Sequence, residues 1–190
     1  PIVVRSSFEG GEGTRISSSS TSQRTVSGVA LAKNEARITV EDVPDQPGAS
    51  HRLFAELASQ GIAVDMIIQN ISAEGHTDLS FTLAREELNE TMIIMENVAK
   101  KIHAVNVSAD SKIAKISIVG AGMRSHSGVA AKIFKSLSKE KINILMISTS
   151  EIKVSCIIEQ KHTKVAVNAL HKAFGLEKKA ARKKSTTKKK

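Results

Sequence analysis

An α+β fold of two interlocked ferredoxin-like βαββαβ sandwiches, each an antiparallel sheet with two helices on one face, is predicted by three observations. Two 20-residue stretches repeat at a constant offset of 80 positions. Within each repeat the apolar spacing alternates between the period of a strand and that of a helix. The second repeat lacks a closing strand, and an apolar segment ahead of the first repeat can supply it.

The repeat aligns GASHRLFAELASQGIAVDMI (48–67) with GVAAKIFKSLSKEKINILMI (128–147). Gly48 falls on Gly128, Phe54 on Phe134, Leu57 on Leu137, Ile62 on Ile142 and Met66 on Met146, which signals duplicated structure. In chain order, PIVV begins a short strand and GGEGTRI follows, ending at residue 16. SSSSTSQRT (17–25) has the composition of a linker. VSGVALA (26–32) is apolar without a local partner. ARITV (36–40) and AKISI (114–118) alternate as half-buried strands, and each runs into a glycine-bearing turn. Leu53, Phe54 and Leu57, like Ile133, Phe134 and Leu137, form the apolar stripe of a helix. Second strands follow at 64–68 and 144–147, third strands at 77–83 and 153–158, and closing helices at 86–103 and 161–174. Only the first unit then has a fourth strand, at 105–108; the second ends in Gly175 and a polar tail. The first unit (36–110) is therefore read as inserted into the second (26–35 plus 111–176), with 177–190 a basic disordered tail.

Composition narrows the functional classes. The 190 residues are 41% hydrophobic, enough for a buried core, and the net charge is +9. That charge is local: 178–190 carries eight basic residues and no acid, and without them 20 basic residues face 19 acidic ones. A neutral body with 3% aromatics and no Trp or Tyr lacks the basic face and stacking platforms of a nucleic-acid domain. One cysteine excludes an internal disulfide, and no apolar run approaches the roughly 20 residues of a membrane helix. The expected setting is cytoplasmic, with no membrane partner. The chain starts PIVVRSS without an initiator methionine and reads as a fragment of a longer protein or a processed chain.

The motifs point away from catalysis. Gly120-Ala121-Gly122 follows a strand, but the third glycine of a dinucleotide loop is missing. No phosphate-binding Gly-x-x-x-x-Gly-Lys motif or kinase glycine-rich loop occurs, so the chain alone is expected to bind no ATP and catalyse nothing. The six histidines lack metal-ligand spacing, and no metal site is expected. Cys156, Met66 and Met146 sit in strands and read as core. Asp65 and Glu151 read equally as strand-edge acids, and His126 as a solvated loop residue.

Several segments carry a family resemblance. ITVEDVPDQPG, VDMIIQNIS, ISIVGAGMRSHSGVAAKIF, NILMISTSEIKVSC and ALHKAFGL together resemble the paired ACT regulatory domains of aspartate kinase, over about residues 26–176. VRSSF and GTRI, within 1–16, resemble the end of that family's catalytic domain. The resemblance implies a kinase that phosphorylates the side-chain carboxylate of L-aspartate, with ATP and Mg held in a catalytic domain or subunit outside this chain. It also implies feedback inhibition by threonine or lysine bound between ACT domains, and a homodimer. A threonine-type site would use Asp45, Gly48, Ser50 and Gln69 with Asn143 and Ile144. A lysine-type site would use Met123, His126, Gly128, Val129, Ala130, Ser150 and Glu151, with Asp65 for the second ammonium. The chemistry is coherent, because helix starts at Gly48 and Gly128 offer unpaired N–H groups to a carboxylate. Ser127 stands where a proline is usual in this loop, and Ala130 where some lysine-sensitive members have threonine. A separately translated regulatory subunit and a stand-alone amino-acid sensor acting on another partner are the alternatives; a tail-driven nucleic-acid binder is the third.

Overall fold

The computed structural model describes residues 2–5, 8, 14–16, 25–70, 75–121, 123 and 128–177. A two-stranded ladder joins β1 (Ile2–Val4) to β2 (Thr14–Ile16). The remaining elements are β3 (Gly28–Pro44), α1 (Ala49–Ser59), β4 (Val64–Gln69), β5 (His76–Ala84), α2 (Leu88–Ile102), β6 (Asn106–Val119), α3 (Val129–Lys139), β7 (Met146–Thr149), β8 (Lys153–Glu159) and α4 (Thr163–Ala173). β3 to β8 form one antiparallel sheet ordered β4-β5-β3-β6-β8-β7.

The two units share this sheet through its long central strands. The latter part of β3 with β4, β5 and the start of β6 makes one ferredoxin-like set, and the rest of β6 with β7, β8 and the start of β3 makes the other. Sequence periodicity reads each central strand as two pieces, because the polar breaks at Lys33–Glu35 and Ser108–Lys112 interrupt the alternation. The structure runs straight through both breaks and absorbs them as irregularities, with the β3–β6 register shifting between Ala32 and Glu35 and again between Glu35 and Arg37. Arg85, in a short 3₁₀ turn after β5, clasps this junction: its Nη2 donates to the carbonyl oxygens of Lys33 (2.6 Å), Ile113 (3.3 Å) and Glu35 (3.4 Å).

Each unit has its own core. In the first, Ala36, Ile38 and Val40 of β3 and Leu79, Phe81 and Leu83 of β5 meet Leu53 and Leu57 of α1 and Met95 of α2. In the second, Ile116, Ile118, Val154, Cys156 and Ile158 meet Ile133 and Leu137 of α3 and Ala166 and Leu170 of α4. Burying each such leucine or isoleucine contributes about 1.5–3 kcal/mol. The repeat extends to the helix ends. Ile62 N–H donates to Leu57 C=O and Ile142 N–H to Leu137 C=O, both at 3.0 Å, with left-handed Gly61 and Lys141 at equivalent places.

A third cluster lies on the other face of the sheet. Residues paired across a ladder share a face, so Glu35, Ile113, Lys115 and Ile157 lie opposite Ala36, Ala114, Ile116 and Ile158. Here Met66 of β4 and Met146 of β7, from the two outermost strands, join one cluster with Ile113 and Ile157. In a flat sheet β4 and β6 stand three strand spacings apart, about 14 Å, beyond the reach of a Lys–Asp contact. Lys115 nevertheless donates to the Asp65 carboxylate, so the sheet bends its edges together over this face.

Candidate functional site

The sequence-derived candidates fall on two equivalent turn-to-helix corners and on the outer strands beside them. At the first corner Gly48 has φ 94°, a conformation costly for any residue with a Cβ, and it leads directly into α1. The helix's own hydrogen bonding starts with Arg52 N–H on Gly48 C=O at 3.1 Å, and Gln46 C=O takes Ala49 N–H at 3.2 Å. Helix geometry thus leaves the Ser50 and His51 amides without an intrahelical acceptor. No side chain caps this end and no acid lies in the first turn, so its positive pole is open to an anion. Ser50 Oγ donates to Gln69 Oε1 at 3.1 Å, tying the helix start to the end of β4. Asp45, exposed in the preceding turn, donates its backbone N–H to Gly75 C=O at 2.8 Å.

The second corner has the same backbone and different side chains. Gly128 has φ 95°, Lys132 N–H donates to Gly128 C=O at 2.9 Å, and α3 likewise lacks a side-chain cap or an acid in its first turn. Val129 and Ala130 form that turn, and Ala130 stands where the first corner has Ser50. Met123 is 9% exposed and packs in the second core. Ser150 and Glu151 are exposed in the β7–β8 turn, where Ser150 N–H donates to Lys153 C=O at 2.8 Å. His126 lies outside the described residues.

The outer strands relate the two units. Asn143 and Ile144 precede β7; Asn143 is exposed and Ile144 packs on its own unit's core. Their neighbour Leu145 shares the helix-free cluster with Ile68, the residue before Gln69. The end of β4 at the first corner and the start of β7 therefore border the same cluster. Asp65 is already engaged, with Lys115 bridging it to Glu35, whose Oε1 lies 2.5 Å from Lys115 Nζ. Burial works against the Lys115 ammonium, but the Asp65 and Glu35 hydrogen bonds and charges outweigh it and hold its pKa above the ordinary lysine value.

Lys115 and Arg85 escape a reading by pattern. Lys115 sits at a polar position of an alternating strand, which normally means solvent, and only the bend of the sheet covers it. Arg85 follows a strand without any motif; its signal is a basic residue placed opposite two strand irregularities.

Together the fold and the corners define a class: a module of two linked ferredoxin-like units in one sheet, each presenting an uncapped, glycine-led helix start. The sequence model of the ACT domain family matches residues 38–98 and 116–174. An aspartate kinase of Pseudomonas fluorescens is 48% identical over 180 residues, and an aspartokinase of Helicobacter pylori 43% identical over 182. Both alignments cover 93% of this chain and 44% of the relative, so the chain spans less than half the length of these relatives. Among solved structures, a chain of the aspartokinase alpha and beta subunits is 49% identical with TM-score 0.75, covering 79% of this chain and 99% of that one. The ligand-free regulatory subunit of aspartate kinase from Thermus thermophilus is 38% identical with TM-score 0.76, covering 80% and 99%. The chain belongs to the aspartokinase family, as its regulatory region with paired ACT domains.

Proposed function

We propose that this region binds end-product amino acids, threonine at the first corner and lysine at the second, and thereby controls ATP-dependent phosphorylation of L-aspartate by a catalytic domain or subunit. The observation that carries the reading is the Gly48 corner, where an uncapped helix start lies beside a Ser50–Gln69 polar pair. An amino acid's carboxylate matches the free amides, and a hydroxyl side chain matches Gln69. Asn143 and Ile144 complete the threonine-type set from the other unit. At the second corner Met123, His126, Gly128, Val129, Ala130, Ser150 and Glu151 form the lysine-type set. The set also takes in Asp65 for lysine's second ammonium, a carboxylate that Lys115 already engages.

Control follows if an amino acid binds one arrangement of the ACT units better than another, because a ligand shifts an equilibrium only by its differential affinity. A homodimer fits the open outer strands: Ile67 on β4 is 50% exposed and Ile147 on β7 41%, at equivalent positions of the repeat. Calorimetric titration of the chain with threonine, with lysine and with both tests the reading. Gln69→Ala should weaken threonine about tenfold, the value of one good hydrogen bond, and leave lysine unchanged. Absence of binding by either amino acid at millimolar concentration to the folded protein refutes it.

A further inference from the structure

We propose that Gly120 is a coupling junction that makes the second corner, and not the first, report to the chain upstream of residue 25; the inference rests on the effector reading above. Gly120 directly follows β6 and stands eight positions before the Gly128 helix start. Its N–H donates to Ile152 C=O at 2.9 Å, which ties it to the β7–β8 turn carrying Ser150 and Glu151. On its other side the incoming backbone crosses it with no free space. A methyl group built on Gly120 would lie 2.0 Å from the Thr25 carbonyl oxygen, and 2.8 Å from both the Thr25 carbonyl carbon and Val26 Cα. These are main-chain atoms, which cannot turn aside as a flexible side chain does.

Among the seven described glycines this crowding is confined to Gly120; a methyl on any of the other six meets nothing within 4 Å. Five of the six, Gly48 and Gly128 among them, have positive φ and are explained by conformation. Gly120 is absent from that set, so its glycine is required by close approach alone. The crossing is fastened along its length. Ser27 N–H donates to Val119 C=O at 2.7 Å, Gly28 pairs with Val119, and Val26 is 5% exposed in the same core cluster as Met123.

Closely packed backbones leave no void in which one can move independently, so a displacement of Gly120, carried from the β7–β8 turn through its bond to Ile152, is shared by Thr25 and Val26. The first corner has an equivalent crossing, Val105 N–H on Glu41 C=O at 3.1 Å, but that chain leads back into α2 and no described glycine is crowded there. Subtracting the repeat offset from Gly120 gives Val40, a fully buried residue within β3. The two corners are therefore alike as ligand sites and unlike as transmitters.

Amide hydrogen exchange on the whole chain tests the junction in two arms. Without ligand, Val26→Ala should speed exchange at Ser27 and at Gly120 together, by at least about fivefold, the lower end of ordinary coupling between sites, while Arg52 stays unchanged. Acceleration confined to residues 25–28 overturns the proposal. With saturating lysine, wild-type Ser27 should exchange at least about fivefold more slowly, and threonine bound at the first corner should leave it unaltered. Gly120→Ala should remove the lysine response at Ser27 while lysine still binds. Protection limited to 128–132, or an equal response of Ser27 to threonine, overturns the proposal. If neither amino acid binds, the effector reading fails separately, and the ligand-free arm alone decides the junction.

Discussion

Replacing Lys115 with methionine should cost about 3 kcal/mol, near the lower end for breaking a buried ion pair. Glu35 and Lys115 have side-chain exposures of 9% and 16%, and Met keeps most of the apolar stem while deleting the charge. Glu35 is then left covered and without its cation. Asp65, at 40% exposure, adds little, because a half-exposed partner is worth about 1 kcal/mol or less. For a domain of this size 3 kcal/mol corresponds to a fall in Tm of about 6–12 °C. The double variant Lys115→Met with Glu35→Leu should recover most of the loss, since an apolar pair can replace a buried ion pair at little cost. The Lys115 pKa is raised in the folded state, so the pair's contribution is complete below lysine's ordinary pKa of about 10.4 and is lost as pH climbs through the raised value. Urea unfolding at pH 7 and 9 should therefore show the same gap between wild type and Lys115→Met. A single variant within 0.5 kcal/mol of wild type, on the scale of an ordinary surface substitution, would refute the bent-sheet account of this face.

Other substitutions test the duplicated architecture. Leu53→Ala and Leu137→Ala open cavities at fully buried positions and should each lower stability by about 2–5 kcal/mol in denaturant titrations, with the two losses additive because the cores are separate. Burial pushes the Cys156 thiol up to about 11, so a thiol reagent at pH 8 should label it only as the protein unfolds, and labelling should track the denaturation curve. Gly48→Ala forces a Cβ onto φ 94° and should cost more than about 1 kcal/mol in thermal unfolding.

Much of the fold was legible because duplication reinforced each local signal. The Leu53, Phe54, Leu57 stripe is ambiguous alone, but its match to Ile133, Phe134 and Leu137 identifies a helix packed on a sheet. The place of the apolar segment before unit one could be inferred from the strand unit two lacks, and Val29 indeed pairs with Ile118. The continuity of β3 and β6 was hidden, because Lys33–Asn34–Glu35 looks like a loop and is held as strand by Arg85, 50 positions away. At the candidate site, Gly48 and Gly128 announce themselves by the repeat, whereas the Ser50–Gln69 contact needs three dimensions. Lys115 and Gly120 were not legible at all. Their roles come from what the chain lays over them, and alternation or a Gly-x-Gly pattern carries no information about that.

Threonine binding at the Gly48 corner is most directly tested by an amide chemical-shift titration of the isotope-labelled chain. The amides of Gly48, Ala49, Ser50, His51 and Gln69 should move saturably with threonine, and those of Val129 to Ala131 should stay in place. Shifts centred on the Gly128 corner, or no saturable shift at all, would contradict the assignment of this corner as the threonine site.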